Sequence, residues 1–282
     1  MRRRLWAARA VVIVILAGTV AAAAETRKEL HFKVGRRASV SIINQYGSVS
    51  VRPAAGKQVT ITAILHSDKV EIDQSQSGNR VAVFSHVLAG ADADSGRVDY
   101  EALVPPNSSV TLHSVTGPIH AERLKGDLML EGNTATVDVR DLSEGHVHVK
   151  TLNGPVTLTN VSDGHVEITS VSGDVDLVSV NGPLVQVNSN SGRIRYDGDF
   201  GGEGEYVLTS HTGDIEATAP AYASIDVIAH SMQGRVENDF PLLPEHTPFI
   251  TRAGSAFAGT MGKAASSVKL LSFSGKIHLK KR

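Results

Sequence analysis

The chain has 282 residues, a formal net charge of -1, no cysteine, one tryptophan and 5% aromatic residues. Near-neutral charge excludes the basic footprint of a nucleic-acid-binding protein, and the lack of cysteine excludes disulfides and a lipid-modified cysteine. Hydrophobic residues make up 41% of the chain, so a large core is affordable only from β-branched and small side chains, not from aromatic clusters.

At the N-terminus, Arg2, Arg3 and Arg4 precede an apolar run over 10–20, then Ala21 to Ala24 and polar Glu25, Thr26 and Arg27. A basic start, a short apolar run and small residues before a polar stretch define a signal peptide over residues 1–24, with cleavage after Ala24. The expected product is exported to the periplasm or beyond and has no membrane span. An uncleaved anchor is the alternative, although the run is short and alanine-rich for a span.

Residues 25–104 read as an N-terminal β region or cap. Alternating apolar segments fall at 30–34, 38–43, 48–51, 58–65, 69–73, 80–84 and 97–103, separated by turns at Gly35, Gly47, Gly56, Gly78 and Gly90. Asp92 and Asp94 lie in a turn without the full ligand spacing of a helix-loop-helix calcium site. Pro105-Pro106 then marks a boundary, because consecutive prolines cannot both join a central ladder.

From 105 to 282 the chain repeats. A turn Gly, or Ala135 in its place, precedes a β-branched residue at Ile119, Val137, Val156, Val175, Ile194, Ile215, Val236 and Ile277. The turn residues Gly117, Ala135, Gly154, Gly173, Gly192, Gly213 and Gly234 are eighteen to twenty-one residues apart, and Gly275 follows after forty-one. The wide last interval predicts a loop insertion at about 240–267, after which 268–279 closes the array. A second series, Gly126, Gly145, Gly164 and Gly182, falls halfway between members of the first. Two short strands and two turns per roughly 19-residue unit predict an all-β chain folded as a β-solenoid, each coil giving one strand to each of two parallel sheets. An antiparallel meander is the competing layout, supported by the Asn153-Gly154 and Asn181-Gly182 pairs and opposed by the Pro that follows each.

The recurring unit is Ser170-Val171-Ser172-Gly173-Asp174-Val175, then Ser189-Asn190-Ser191-Gly192-Arg193-Ile194, Ser210-His211-Thr212-Gly213-Asp214-Ile215 and Ser272-Phe273-Ser274-Gly275-Lys276-Ile277. With the V-P-P segment before it, and Asn44-Gln45-Tyr46-Gly47-Ser48-Val49 as an opening strand, this pattern resembles the adhesin-like family of bacterial β-strand-repeat domains. The resemblance implies a cell-envelope surface role, with no defined ligand and no catalytic positions.

In the solenoid register, outward residues alternate in sign from coil to coil: Asp174 and Asp176, Arg193 and Arg195, Asp214 and Glu216, Arg235 and Glu237. This reads as a charge ladder and not as the carboxylate pair of a glycosidase. On the opposite sheet the register brings together His146, His148, His165 and Glu167, with Asp127 and Met129 beside them. Imidazole and carboxylate donors at these spacings are candidate ligands for zinc or copper, against the plainer reading that a repeated Gly-His-Val was copied onto a polar face. No other cofactor is expected. Ser210, His211 and Asp214 share one exposed turn and cannot form a catalytic triad, which needs the Asp buried behind the His.

The expected function is therefore non-catalytic: an exported envelope module that presents flat β faces to a glycan or protein partner, with ladders of Thr, Asn and Ser, including Thr157, Thr159, Thr169 and Asn188, as polar contacts. Charged residues at the C-terminal end, His278, Lys280, Lys281 and Arg282, are expected to discourage edge pairing and keep the chain monomeric. The alternatives are a carbohydrate-active enzyme built on a solenoid, and an envelope scaffold or regulator.

Overall fold

The computed structural model describes residues 25–201, 203–241, 243–244 and 254–282. The expected signal peptide and part of the expected insertion lie outside the described residues. Among the described residues there are twenty-five strands and no helix, hence no helix long and apolar enough to cross a membrane. Twelve strands form one sheet and thirteen the other. Neighbouring repeats pair in parallel throughout the central array, as in Val137–Ser143 against Val156–Ser162 and His146–Thr151 against His165–Ser170. Parallel pairing is the solenoid arrangement and excludes the meander.

The expected register holds residue for residue. Ile119, Val137, Val156, Val175, Ile194 and Ile215 are successive partners in the twelve-stranded sheet, each at most 1% exposed. A strand residue and the next but one share a face, so Val139, Leu158, Leu177 and Tyr196 form a second inward row. Each fully buried aliphatic side chain contributes about 1.5–3 kcal/mol. No single coil can bury both its faces, so this stabilisation exists only in the stack. One position departs from the aliphatic rule. Tyr196 stacks on Phe200 at 4.3 Å, with Tyr206 edge-on to both, and its hydroxyl donates to the Val180 carbonyl at 3.1 Å. Burial pushes the Tyr206 hydroxyl up to about 12 and raises that of Tyr196 as well.

The S-x-S-G turn is explained by two contacts. Its first residue points inward and bridges the turn: the Ser170 hydroxyl donates to the Gly173 carbonyl at 2.7 Å, and Thr151 both donates to and accepts from Gly154. Its glycine lies against the coil below. A Cβ on Gly173 would stand 2.0 Å from the Gly154 carbonyl oxygen, and one on Gly164, in the second series, 2.3 Å from that of Gly145. The turns stack backbone on backbone, which leaves no room for a side chain. Ala135 is the exception, and its coil compensates: where the others carry Ser or Thr, this one has Gly132, whose missing side chain leaves space beside the Ala135 methyl. The Asp after the glycine is also structural. Asp174 accepts the backbone N–H of Arg193 at 2.9 Å, and Asp214 that of Lys276 at 2.7 Å.

Coil order departs from the sequence at both ends. Strands on both sides of the expected boundary at residue 105 share the two sheets and one core: Ser39–Tyr46 pairs in parallel with Ser109–Thr116, and Val49–Pro53 with Ile119–Glu122. Arg80–Val87 and Val98–Val104 form a coil on the far side of 39–53, so the second coil in sequence is the first in space. Antiparallel strands finish that end: Thr26–Lys33 and Gln58–Leu65 on one sheet, Val70–Ser77 on the other.

The C-terminal end corrects an expectation. Residues 268–279 do not close the array. Ser266–Ser272 and Ile277–Lys281 form a coil wedged between 205–219 and 225–238, pairing in parallel with both. Asp214 and Glu216 therefore face Lys276 and His278 and not Arg235 and Glu237. His278 also lies inside the sheet, between Glu216 and Glu237, while Lys280 and Lys281 run past the end of Val236–Asn238, the edge strand there. Within the expected insertion, Ala256–Met261 forms an antiparallel cap strand on Ile225–Ser231.

Gly173→Ala is expected to destabilise the fold by roughly 1–3 kcal/mol in denaturant unfolding, as overpacking of a tight contact does, while Ser172→Ala stays within about 0.5 kcal/mol. Adding Ser170→Gly, which imitates the Gly132 and Ala135 coil, is expected to restore part of the loss. Equal stability of Gly173→Ala and the parent chain would contradict the close-stacking explanation.

Candidate binding face

The thirteen-stranded sheet carries the candidate residues on its outer side. Because alternate residues face outward, His146 pairs with His165, and His148 with both Met129 and Glu167, as the register predicts. The His146 and His165 rings stack with centroids 4.6 Å apart and planes 19° from parallel. His148 Nδ1 lies 3.3 Å from Glu167 Oε2, and Asp127 Oδ1 accepts the His146 backbone N–H at 3.1 Å. These groups line a shallow pocket of about 490 Å³ with Met129 and Thr111. Zinc requires donors that converge at about 2.0–2.3 Å on one point. Stacked imidazoles instead present their faces to each other, and among the described residues no three His, Asp or Glu side chains are arranged to hold a metal ion.

The other histidines lie apart from this pocket. His113 faces Glu131, His120 lies between Glu122 and Asp138, and His278 lies between Glu237 and Asp239. Each is set among carboxylates as part of a surface charge pattern. Asp174 likewise pairs with Arg193 at 3.3 Å, and Asp176 is the register partner of Arg195. His211 stacks on Phe273, with centroids 4.8 Å apart, and not between Ser210 and Asp214.

That stack belongs to a groove of about 680 Å³ farther along the same sheet, which contains Thr169 and Asn188 of the expected polar ladder and a wall that sequence reasoning did not single out. Its floor includes the outward row Thr169, Asn188, Thr209, Leu271 and His230, which are successive register partners. One wall is the variable position of the S-x-S-G turn, occupied in successive coils by Val171, Asn190, His211, Phe273 and Met232. Val171 is 42% and Met232 61% exposed. Among the residues that line the groove there is no Asp, Glu, Lys or Arg. The side chains of Thr169, Asn188 and Thr209 make no hydrogen bond within the described residues, so their donors and acceptors face solvent. The missed signal was legible: one variable residue per turn, read down the stack instead of along the chain.

The most strongly perturbed carboxylate lies elsewhere, near the N-terminal cap. Partial burial works against ionisation of Asp99. This is outweighed by the backbone N–H and hydroxyl of Ser48, both at 2.7 Å, by His66 at 2.7 Å, and by Arg97, which together hold it down to about 2. These groups tie the turn after the first repeat strand to the 98–104 strand, so their role is structural.

The Toastrack DUF4097 family matches residues 38–280, and the chain belongs to that family. The match starts at the first inward residue of the 39–53 coil and runs through the wedged C-terminal coil. A search of the curated proteins gives no match. Two solved structures are similar over most of the chain. A candidate cell adhesion protein from Clostridium sporogenes is 13% identical, covering 91% of this chain and 100% of that one, with a TM-score of 0.31. A candidate adhesin from Bacteroides fragilis is 12% identical, covering 91% of this chain and 97% of that one, with a TM-score of 0.45.

Asp99 is ionised more easily in the folded state than in the unfolded chain. Its contribution is therefore present above about pH 4 and is lost as pH falls through 4 towards 2. Asp99→Asn is expected to lower the melting temperature at pH 7 and to flatten the fall in stability between pH 4 and 2. An unchanged acid limb in the variant would contradict this assignment.

Proposed function

We propose that this chain is a non-catalytic binding module of the cell envelope, and that its ligand is an uncharged glycan bound along the groove of the thirteen-stranded sheet. One observation carries this reading: a row of solvent-facing Thr, Asn and Thr side chains with unused hydrogen-bonding capacity beside a mixed wall that includes Val171, Phe273 and Met232, without any Asp, Glu, Lys or Arg. Sugars offer the complement, hydroxyls on their rims and C–H groups on their ring faces. A row of equivalent side chains at one strand spacing, about 4.8 Å, suits a chain-like ligand more than a compact one.

The carboxylates support a binding role over hydrolysis. A glycosidase needs two of them facing one bond about 5–9.5 Å apart, one kept protonated. Here Asp174 is paired with Arg193, and Glu122 with Arg52 and Arg123, which hold the latter carboxyl below its ordinary range together with His120. The envelope assignment rests on the arginine-led apolar start and the Ala22-Ala23-Ala24 site.

Purified residues 25–282 applied to an array of neutral and charged bacterial glycans are expected to retain neutral polysaccharides and release them uncut. Asn188→Ala is expected to weaken retention about tenfold, equivalent to about 1.4 kcal/mol, and His148→Ala, outside the groove, to leave it unchanged. Cleaved products would favour the enzyme reading. Selective retention of anionic glycans, or of protein alone from envelope extracts, would overturn the proposed ligand.

A further inference from the structure

The wedged C-terminal coil raises the question of why 225–238 does not stack directly on 205–219, to which it is joined by the short connection 220–224. Both coils carry the repeat turn and would align Ser231 with Ser210 and Val236 with Ile215. In that alignment Arg235 would face Asp214 as an opposite charge, but Glu237 would face Glu216 on the same sheet and Asp226 would face Glu205 on the other. Like charges directly opposite on a ladder repel, and here there would be one such pair on each sheet.

The coil 266–281 relieves both contacts. His278 stands between Glu216 and Glu237, and Ser267 between Glu205 and Asp226. Its cations then pair on either side: Lys280 with Glu216 at 2.7 Å, Lys276 with Glu237 at 2.8 Å, Lys269 with Glu205 at 2.7 Å, and Arg282 with Asp197 two coils away. Lys269, Lys276 and Lys280 thus pair with Glu205, Glu237 and Glu216 on the two flanks of the slot, although Lys276 also neighbours Arg235 and the buried Asp226 Oδ1 has no hydrogen-bond partner among the described residues. Without this coil, Ile215, Ala217, Tyr206 and Leu208, buried in the folded chain, would stand at an open edge of both sheets.

The coil enters the slot through an arch at 262–265, which passes over the start of the 225–231 strand. The Ser224 hydroxyl accepts the backbone N–H groups of Lys263 at 2.9 Å and Ala265 at 3.2 Å, and Ala264 has a left-handed backbone (φ 53°). Among the described residues the arch adds one further hydrogen bond, from the Ala264 N–H to the Met261 carbonyl at 3.4 Å. An element held by strong, specific contacts on both flanks and by a short hinge is one that two identical chains can exchange at little cost.

We propose that the slot between 205–219 and 225–238 is a strand-acceptor site for the C-terminal coil of a second copy of this chain, so that two copies trade residues 266–282 and close into a reciprocal dimer. The occupant is a second copy because the slot asks for a parallel coil with the S-x-S-G turn and cations at the positions of Lys269, Lys276 and Lys280. Exchange reproduces every pairing of the single chain and opens no new edge.

The test uses the absence of cysteine. Thr209 and Leu271 are register partners on the outer face, neither charged, and at one strand spacing their Cα separation of about 4.8 Å lies within the range a disulfide spans. The Thr209→Cys/Leu271→Cys chain is unfolded in denaturant, refolded over a hundredfold range of concentration and then oxidised. The expected result is an internally bridged monomer at the lowest concentration and a doubly bridged dimer above it. While dimer is scarce, the dimer-to-monomer ratio should rise about tenfold per tenfold increase in concentration. Peptide mapping should find only 209–271 bridges, and mixing two isotope-labelled forms should place them between chains. Internal bridges at every concentration, or dimers linked 209–209 or 271–271, would overturn the proposal. As a check independent of the substitutions, the parent chain refolded at the highest concentration should give a dimer that survives dilution; monomer alone would overturn it as well.

Discussion

The structure depends on how closely successive coils approach at their corners. At the S-x-S-G turns that carry glycine, and at Gly126, Gly145, Gly164, Gly182 and Gly204 half a repeat later, the backbone of one coil rests on a carbonyl group of its neighbour, so a side chain at these positions has no space. This contact sets the rest. It fixes the coil spacing, which aligns the β-branched rows inside and the polar rows outside. It also places the inward Ser or Thr where its hydroxyl can satisfy the turn's own buried carbonyl, a group that would otherwise be costly to bury. The two glycine series, the inward hydroxyl and the valine stripe are consequences of one packing requirement.

Such a requirement is legible in a sequence because it recurs. The rows from Ile119 to Ile215, the partners of His146 and His148, and the choice of a solenoid all follow from superimposing equivalent turns. Coil order was not legible. The turns Ser231-Met232-Gln233-Gly234 and Ser272-Phe273-Ser274-Gly275 satisfy the same local chemistry, and what separates them is charge between coils: Glu216 and Glu237 repel, while Lys276 and Lys280 pair with both sides. The N-terminal end shows the same limit. The segments 39–53 and 80–104 read as irregular strands because the antiparallel strands 58–65 and 70–77 lie between them in the chain, although in space the two coils are adjacent.

The candidate site divides along the same line. Register places His146, His148, His165 and Glu167 together, but ring orientation is a matter of rotamers and neighbours, and His146 and His165 use their faces on each other. The wall of the groove beside Asn188 escaped notice for the opposite reason. It is built from the one position of the turn that the fold leaves free, where Val171, Asn190, His211, Phe273 and Met232 share no chemical identity. A stack that constrains nearly every inward and corner position concentrates its freedom in such rows, which is where a binding module would carry its specificity.

The central claim is that charge between coils, and not chain order, decides where the last coil sits. Native-state hydrogen exchange followed by mass spectrometry tests this most directly. If the coil is flanked on both sides, amides over 277–279 should exchange as slowly as those of 175–180 in the middle of the stack, while 236–238, at the sheet edge, should exchange quickly. Rapid exchange at 277–279 with protection at 236–238 would mean that the coils stack in chain order, contradicting the account.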